Sequence, residues 1–169
     1  MDVSTISITV SLIALAVAAL ALFFAKQKEA VVPSVDPATL PLQLQAYERL
    51  VLLSDRISIP NLVSRTNDPQ MTAREMQRVL VDNIKQEIEY NTSQQIYVSP
   101  VAWNAVQNLK DQNLLIINQI SNVLPPDAKA SDLNKQLLEV IMAQKEKALH
   151  TIVLEALNVE AKKVMSTPR

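Results

Sequence analysis

The 169-residue chain contains no glycine, no cysteine and a single histidine. Glycine ordinarily supplies about 7 % of residues, so its absence over this length excludes every site built on a glycine hinge. The P-loop, the dinucleotide fingerprint, the kinase loop and the G-x-S-x-G elbow are all ruled out. Without cysteine there is no disulfide, thiolate zinc site, cysteine nucleophile or lipidated cysteine. One imidazole, His150, excludes any site that needs two. Aromatics are scarce at 4 %, with one Trp.

What is present begins with an uncharged run, Ile6 to Ala25 (ISITVSLIALAVAALALFFA). A hydrocarbon core of about 30 Å needs about twenty residues of helix, so this run can span a bilayer. Ser7, Thr9 and Ser11 sit at its start, where hydroxyls bond back to carbonyls one turn earlier. Phe23, Phe24, Lys26 and Lys28 mark its far interface. A cleaved signal peptide is the competing reading. It needs a basic start and a shorter apolar run, whereas Asp2 is the only charged side chain before this one. The lysine asymmetry places the N-terminus outside and residue 26 onward in the cytoplasm. The expected localisation is therefore a single-pass protein of the inner, cytoplasmic membrane, with residues 6–25 in the lipid.

From Lys26 to Arg169 the basic and acidic groups balance at 16 each. That argues against a nucleic-acid partner, which requires a concentrated basic surface. Pro33, Pro37 and Pro41 make residues 26–42 a semi-extended spacer rather than a helix. The expected division is 1–25 anchor, 26–42 linker and 43–169 helical domain.

Within that domain, a first helix is expected from about Gln43 to Ser58, with Tyr47, Leu50, Val51 and Ile57 buried. Pro60 should end it, and residues 59–71 should form a loop around the Asn67-Asp68-Pro69 turn. Thr72 with Glu75 reads as a capping box opening a second helix, with Met76, Leu80, Ile84 and Ile88 inward. Ser99-Pro100 reads as the start of a third. Its stripe is Ala102, Val106, Leu109, Ile116, Ile120 and Val123, until Pro125-Pro126 stop it. Asn113 falls in that stripe, either as a register-setting polar group or at the edge of a slightly rotated helix. Ser131 can cap a fourth helix through Leu133, Leu137, Val140 and Ile141; beyond it the chain to Val164 is one helix or two divided near Gln144–Lys147. Strand signals are nearly absent. The fold class is all-α: an N-terminal transmembrane helix plus a four- or five-helix bundle.

Chemistry-bearing constellations are weak. The Glu nearest His150 lies four residues before it, which is not the Glu-x-x-His spacing of carboxylate-bridged metal bundles. Glu87 with Glu89, and Glu155 with Glu160, read as solvated helix faces rather than acid–base pairs. No catalytic residue, metal or cofactor is expected.

The least ordinary segment is Glu87 to Pro100 (EIEYNTSQQIYVSP), followed by Trp103. Glu87, Asn91 and Gln94 would share one helix face. The amides either cap the second helix while Trp103 anchors the core, or form a recognition surface with the aromatics.

With LQAYERLVLLSDRI, EIEYNTSQQIYVS and Trp103 on the page, the chain resembles a family of small bacterial membrane proteins with one N-terminal transmembrane helix, a short linker and a helical domain. The family has no assigned activity, so the resemblance implies architecture and a cell-envelope setting, not chemistry. It adds weight to Tyr47, Glu48, Arg49, Gln94, Gln95, Tyr97 and Trp103. Together with Glu87 and Asn91 these form the candidate partner-binding surface, or one buried polar network joining the first three helices. The functional expectation is a non-enzymatic accessory or scaffold subunit of an envelope complex, acting on a protein partner or as a homo-oligomer. A small-molecule or lipid-binding bundle and an unrecognised enzyme are the alternatives.

Overall fold

Two side-chain brackets fix where the bundle's helices begin. Thr72 Oγ1 accepts the Glu75 N–H at 3.3 Å, and the Glu75 carboxylate accepts the Thr72 N–H at 2.9 Å, the reciprocal pair the sequence announces. Ser99 Oγ accepts the Ala102 N–H at 3.1 Å, with Pro100 in the first turn, where a missing N–H costs nothing.

A computed structural model describes residues 39–143 and 148–166. The helices are α1 (Leu40–Arg56), α2 (Ile59–Thr66), α3 (Ala73–Asn91), α4 (Pro100–Val123), α5 (Ala130–Ala143) and α6 (Leu149–Ser166). A 3₁₀ turn, Thr92–Ile96, links α3 to α4. The described residues contain no strand, only an isolated bridge between Thr72 and Lys129. The all-helical expectation holds for them. None of these helices is long and apolar enough to cross a membrane. The run 6–25 and spacer residues 26–38 lie outside the described residues.

Three expectations about boundaries need correction. First, α1 starts at Leu40 with Pro41 in its first turn, so the last spacer residues are helical. Proline breaks a helix interior but fits the first turn, where there is no preceding turn to clash with. Second, the same physics overturns the loop expected from residue 59. Pro60 opens α2 rather than merely closing α1, and Ile59, Leu62 and Val63 bury the new helix's inner stripe. The Asn67-Asp68-Pro69 turn does form, with Asp68 Oδ1 accepting the Gln70 N–H at 2.9 Å. Third, Ser131 is not a cap; α5 begins one residue earlier. The Asp132 carboxylate accepts the Lys129 N–H at 3.0 Å instead.

The expected division near Gln144–Lys147 lies outside the described residues; α5 ends at Ala143, α6 begins at Leu149, and the two find different neighbours. α6 packs most extensively on α1 and also on α4, whereas α5 packs on α2, α3 and α4. α3 and α4 lie against each other. The starts of α3 and α5 are stapled by two backbone bonds, Ala73 N–H to Ala128 O at 2.9 Å and Ala130 N–H to Met71 O at 3.0 Å.

The core runs through all six helices, with Leu50, Leu53, Leu62, Met76, Leu80, Ile84, Leu109, Leu133, Leu137 and Leu157 fully buried. Along α4 the buried stripe turns at its far end. Ile117 is buried while Ile116 is half-buried, and Val123 is exposed, against the expected inward face. Asn113 is buried in this stripe and its amide donates to the Ile57 carbonyl at 2.8 Å. That carbonyl lies just past the end of α1, where a helix leaves acceptors unpaired, so Asn113 sets the register of α4 against α1. Gln77 of α3 bonds Asn118 at 2.8 Å and Ser121 at 2.9 Å on α4, a polar seam beside the apolar one.

Candidate functional site

The α1–α3 face forms an open groove of about 410 Å³, lined by Arg49, Leu52, Leu53, Arg56, Gln86, Glu87, Tyr90 and Asn91. Helical spacing builds each wall. Arg49, Leu52 and Arg56 follow a three- and four-residue step on α1, and Tyr90 and Asn91 stand three and four residues after Glu87 on α3. Glu87 Oε1 accepts Arg56 Nε at 2.7 Å and Nη2 at 2.5 Å, and Arg65 Nη2 of α2 approaches the same oxygen at 3.7 Å. The hydrogen bond and charge of Glu87 raise the Arg56 pKa further above its ordinary value. Arg49 lies over the Tyr90 ring, 5.8 Å from its centroid. Tyr90 is 74 % exposed and Leu52 is also exposed, so both are presented to whatever enters the groove. Asn91 is buried and donates to the Glu87 carbonyl at 2.8 Å, an interaction within its own helix.

The second cluster is a joint between α1, the start of α4 and α6. The Ser99 N–H donates to the Tyr47 hydroxyl at 3.1 Å, and Ser99 Oγ donates to Glu160 Oε2 at 2.9 Å. Lys163 Nζ reaches Glu160 Oε1 at 2.7 Å. Burial pushes the Glu160 pKa up, but the hydrogen bonds from Lys163 and Ser99 and the Lys163 charge outweigh it. The carboxyl therefore lies below its ordinary range.

The nine residues singled out in the sequence thus fall into separate places. Arg49, Glu87 and Asn91 line the groove. Tyr47 is buried in the joint. Gln95 and Tyr97 are exposed in or just after the 3₁₀ turn, and Gln94, half-buried there, donates to Ser93 Oγ at 3.2 Å. Gln94 does not continue the Glu87–Asn91 face, because α3 ends at Asn91 and the tighter turn changes the angular step. Trp103 is half-buried against the core rather than enclosed by it. Glu48 is exposed and belongs to neither cluster. A single buried network joining three helices is not what forms.

Sequence reasoning missed Arg56, Leu52 and Tyr90 as groove residues, and Arg65 as a second arginine beside Glu87. The face shared by Arg49, Leu52 and Arg56 was legible from spacing, but the Arg56–Glu87 pairing spans 31 residues and no local pattern announces it. A smaller pocket of about 150 Å³ between α2, α4, α5 and α6 takes in Asn113 and His150. Among the described residues no group of three or more His, Cys, Asp or Glu side chains could hold a metal ion. The groove's chemistry is recognition: guanidinium donors, an aromatic face and an exposed aliphatic side chain, with its carboxylate engaged by arginines.

A family model matches residues 2–164, almost the whole chain. The chain belongs to the DUF7935 family, a family of unknown function. No curated protein and no solved structure matches it. DUF7935 membership agrees with the resemblance to a family without assigned activity.

Proposed function

We propose that this DUF7935 protein is a non-catalytic, membrane-tethered docking subunit. Residues 6–25 anchor it in the inner membrane of a bacterial cell with the N-terminus outside, and the helical domain binds a protein partner in the cytoplasm. The observation that carries the reading is the α1–α3 groove, where Arg49 and Tyr90 stand stacked beside exposed Leu52. Arginine and tyrosine supply most of the energy in many protein interfaces, and an aliphatic neighbour helps exclude water around them. The uncharged run Ile6–Ala25 supports the tether.

The test is native mass spectrometry of the full chain extracted in mild detergent, beside an Arg49→Ala/Tyr90→Ala variant. A stoichiometric companion or a defined oligomer is expected, lost in the variant while its helical circular dichroism stays unchanged. A monodisperse monomer without companions, or a complex indifferent to both substitutions, would sink the reading.

A further inference from the structure

Several exposed apolar side chains gather at one end of the helical domain. The Tyr47–Ser99 and Ser99–Glu160 bonds bring the start of α1, the start of α4 and the end of α6 together there, and the 3₁₀ turn leads into the same corner. Each of these termini exposes a large apolar side chain: Leu42 in the first turn of α1, Ile96 and Tyr97 at the turn, Val101 in the first turn of α4 and Met165 in the last turn of α6. Ile96 is 73 % exposed. Isolated surface leucines are ordinary, but five such side chains gathered at one end call for an occupant.

We infer that this end rests on a lipid bilayer surface, with Ile96 and Tyr97 at headgroup depth. The inference rests on the membrane-anchor reading, because chain length is what selects the occupant. Only residues 26–39 separate Ala25 from Leu40, the first residue of α1. Fully extended, those fourteen residues reach at most about 50 Å. α1 begins at this end, so on that reading the tether joins the domain here. Tyrosine suits this depth, since its ring is apolar and its hydroxyl stays wet. Exposed Lys162, three residues before Met165, adds a cationic group suited to anionic headgroups.

The absence of cysteine makes a direct test simple. Ile96→Cys, Val123→Cys and Ala16→Cys variants of the full chain each take one environment-sensitive fluorophore. They are reconstituted into phosphatidylcholine–phosphatidylglycerol vesicles carrying doxyl groups at shallow or deep acyl positions. Val123 ends α4, about 33 Å along the helix from Val101 at 1.5 Å per residue, and is exposed like Ile96. The expected result is that shallow doxyl lipid quenches the label at 96 several-fold more than the label at 123, while deep doxyl lipid quenches the label at 16.

Quenching at 16 with none at 96 overturns the inference and leaves the anchor standing. No quenching at 16 overturns the anchor reading itself; quenching at 96 would then still support the lipid-facing end. Blue-shifted emission at 96 that no doxyl lipid quenches means the end is covered by protein, which also overturns the inference.

Discussion

The hydroxyl of Tyr47 accepts the backbone N–H of Ser99 across 52 residues of sequence, at 3.1 Å. Ser99 caps α4 with the same residue's side chain, so one serine ties the helix start to α1 through its backbone and to α6 through its hydroxyl. Tyr47 is buried, so the bond its hydroxyl accepts is shielded from water. Tyr47→Phe keeps the ring's packing and removes only that acceptor. The expected cost is about 1 kcal/mol, the usual net value of a neutral hydrogen bond. Urea unfolding of the two proteins side by side checks it, and an unchanged midpoint would show that the bond contributes nothing.

Glu160 predicts a pH dependence. Its carboxyl titrates below its ordinary value in the folded protein, because Lys163 and Ser99 favour the charged form by more than burial opposes it. The group therefore contributes stability that is present above the unfolded-state value, near 4.5, and lost as pH falls through the lower folded value. The exposure of its partner Lys163 to solvent keeps the contribution small. Glu160→Gln should flatten the decline in melting temperature below pH 5 and leave the rest of the profile's shape nearly unchanged, as read by thermal unfolding across pH 3–7. A variant that loses stability as steeply as the parent in acid would remove Glu160 from the account.

Trp103 bears on whether the aromatic segment is structural. A fully buried tryptophan truncated to alanine costs about 3–5 kcal/mol. Trp103 is only half-buried against the core, so Trp103→Ala is expected to cost roughly half of that, about 2 kcal/mol. Chemical denaturation gives the number directly. A cost near zero would mean the ring is presented outward for binding instead.

Several elements were legible because their signals are local. The Thr72–Glu75 bracket and the Ser99-Pro100 start each involve residues within one helical turn, and the structure forms them as read. The four-residue recurrence of Met76, Leu80 and Ile84 likewise fixes which face of α3 is buried. Proline was the source of the main misreading. Pro41 and Pro60 look like breakers in a one-dimensional scan, yet both sit in the first turn of a helix. Whether a proline ends a helix or begins one depends on whether the following residues have a core to bury against, and Ile59, Leu62 and Val63 do.

By itself the sequence determined the helical class, the caps of α3 and α4, most of the inner stripes and a twenty-residue uncharged run, because each depends on near neighbours in the chain. Only the tertiary structure decided that Arg56 meets Glu87, that Tyr47 meets Ser99, and that α6 turns back onto α1 while α5 goes elsewhere. Those outcomes depend on which faces of distant helices exclude water together, a choice made by the whole core at once and written in no single segment.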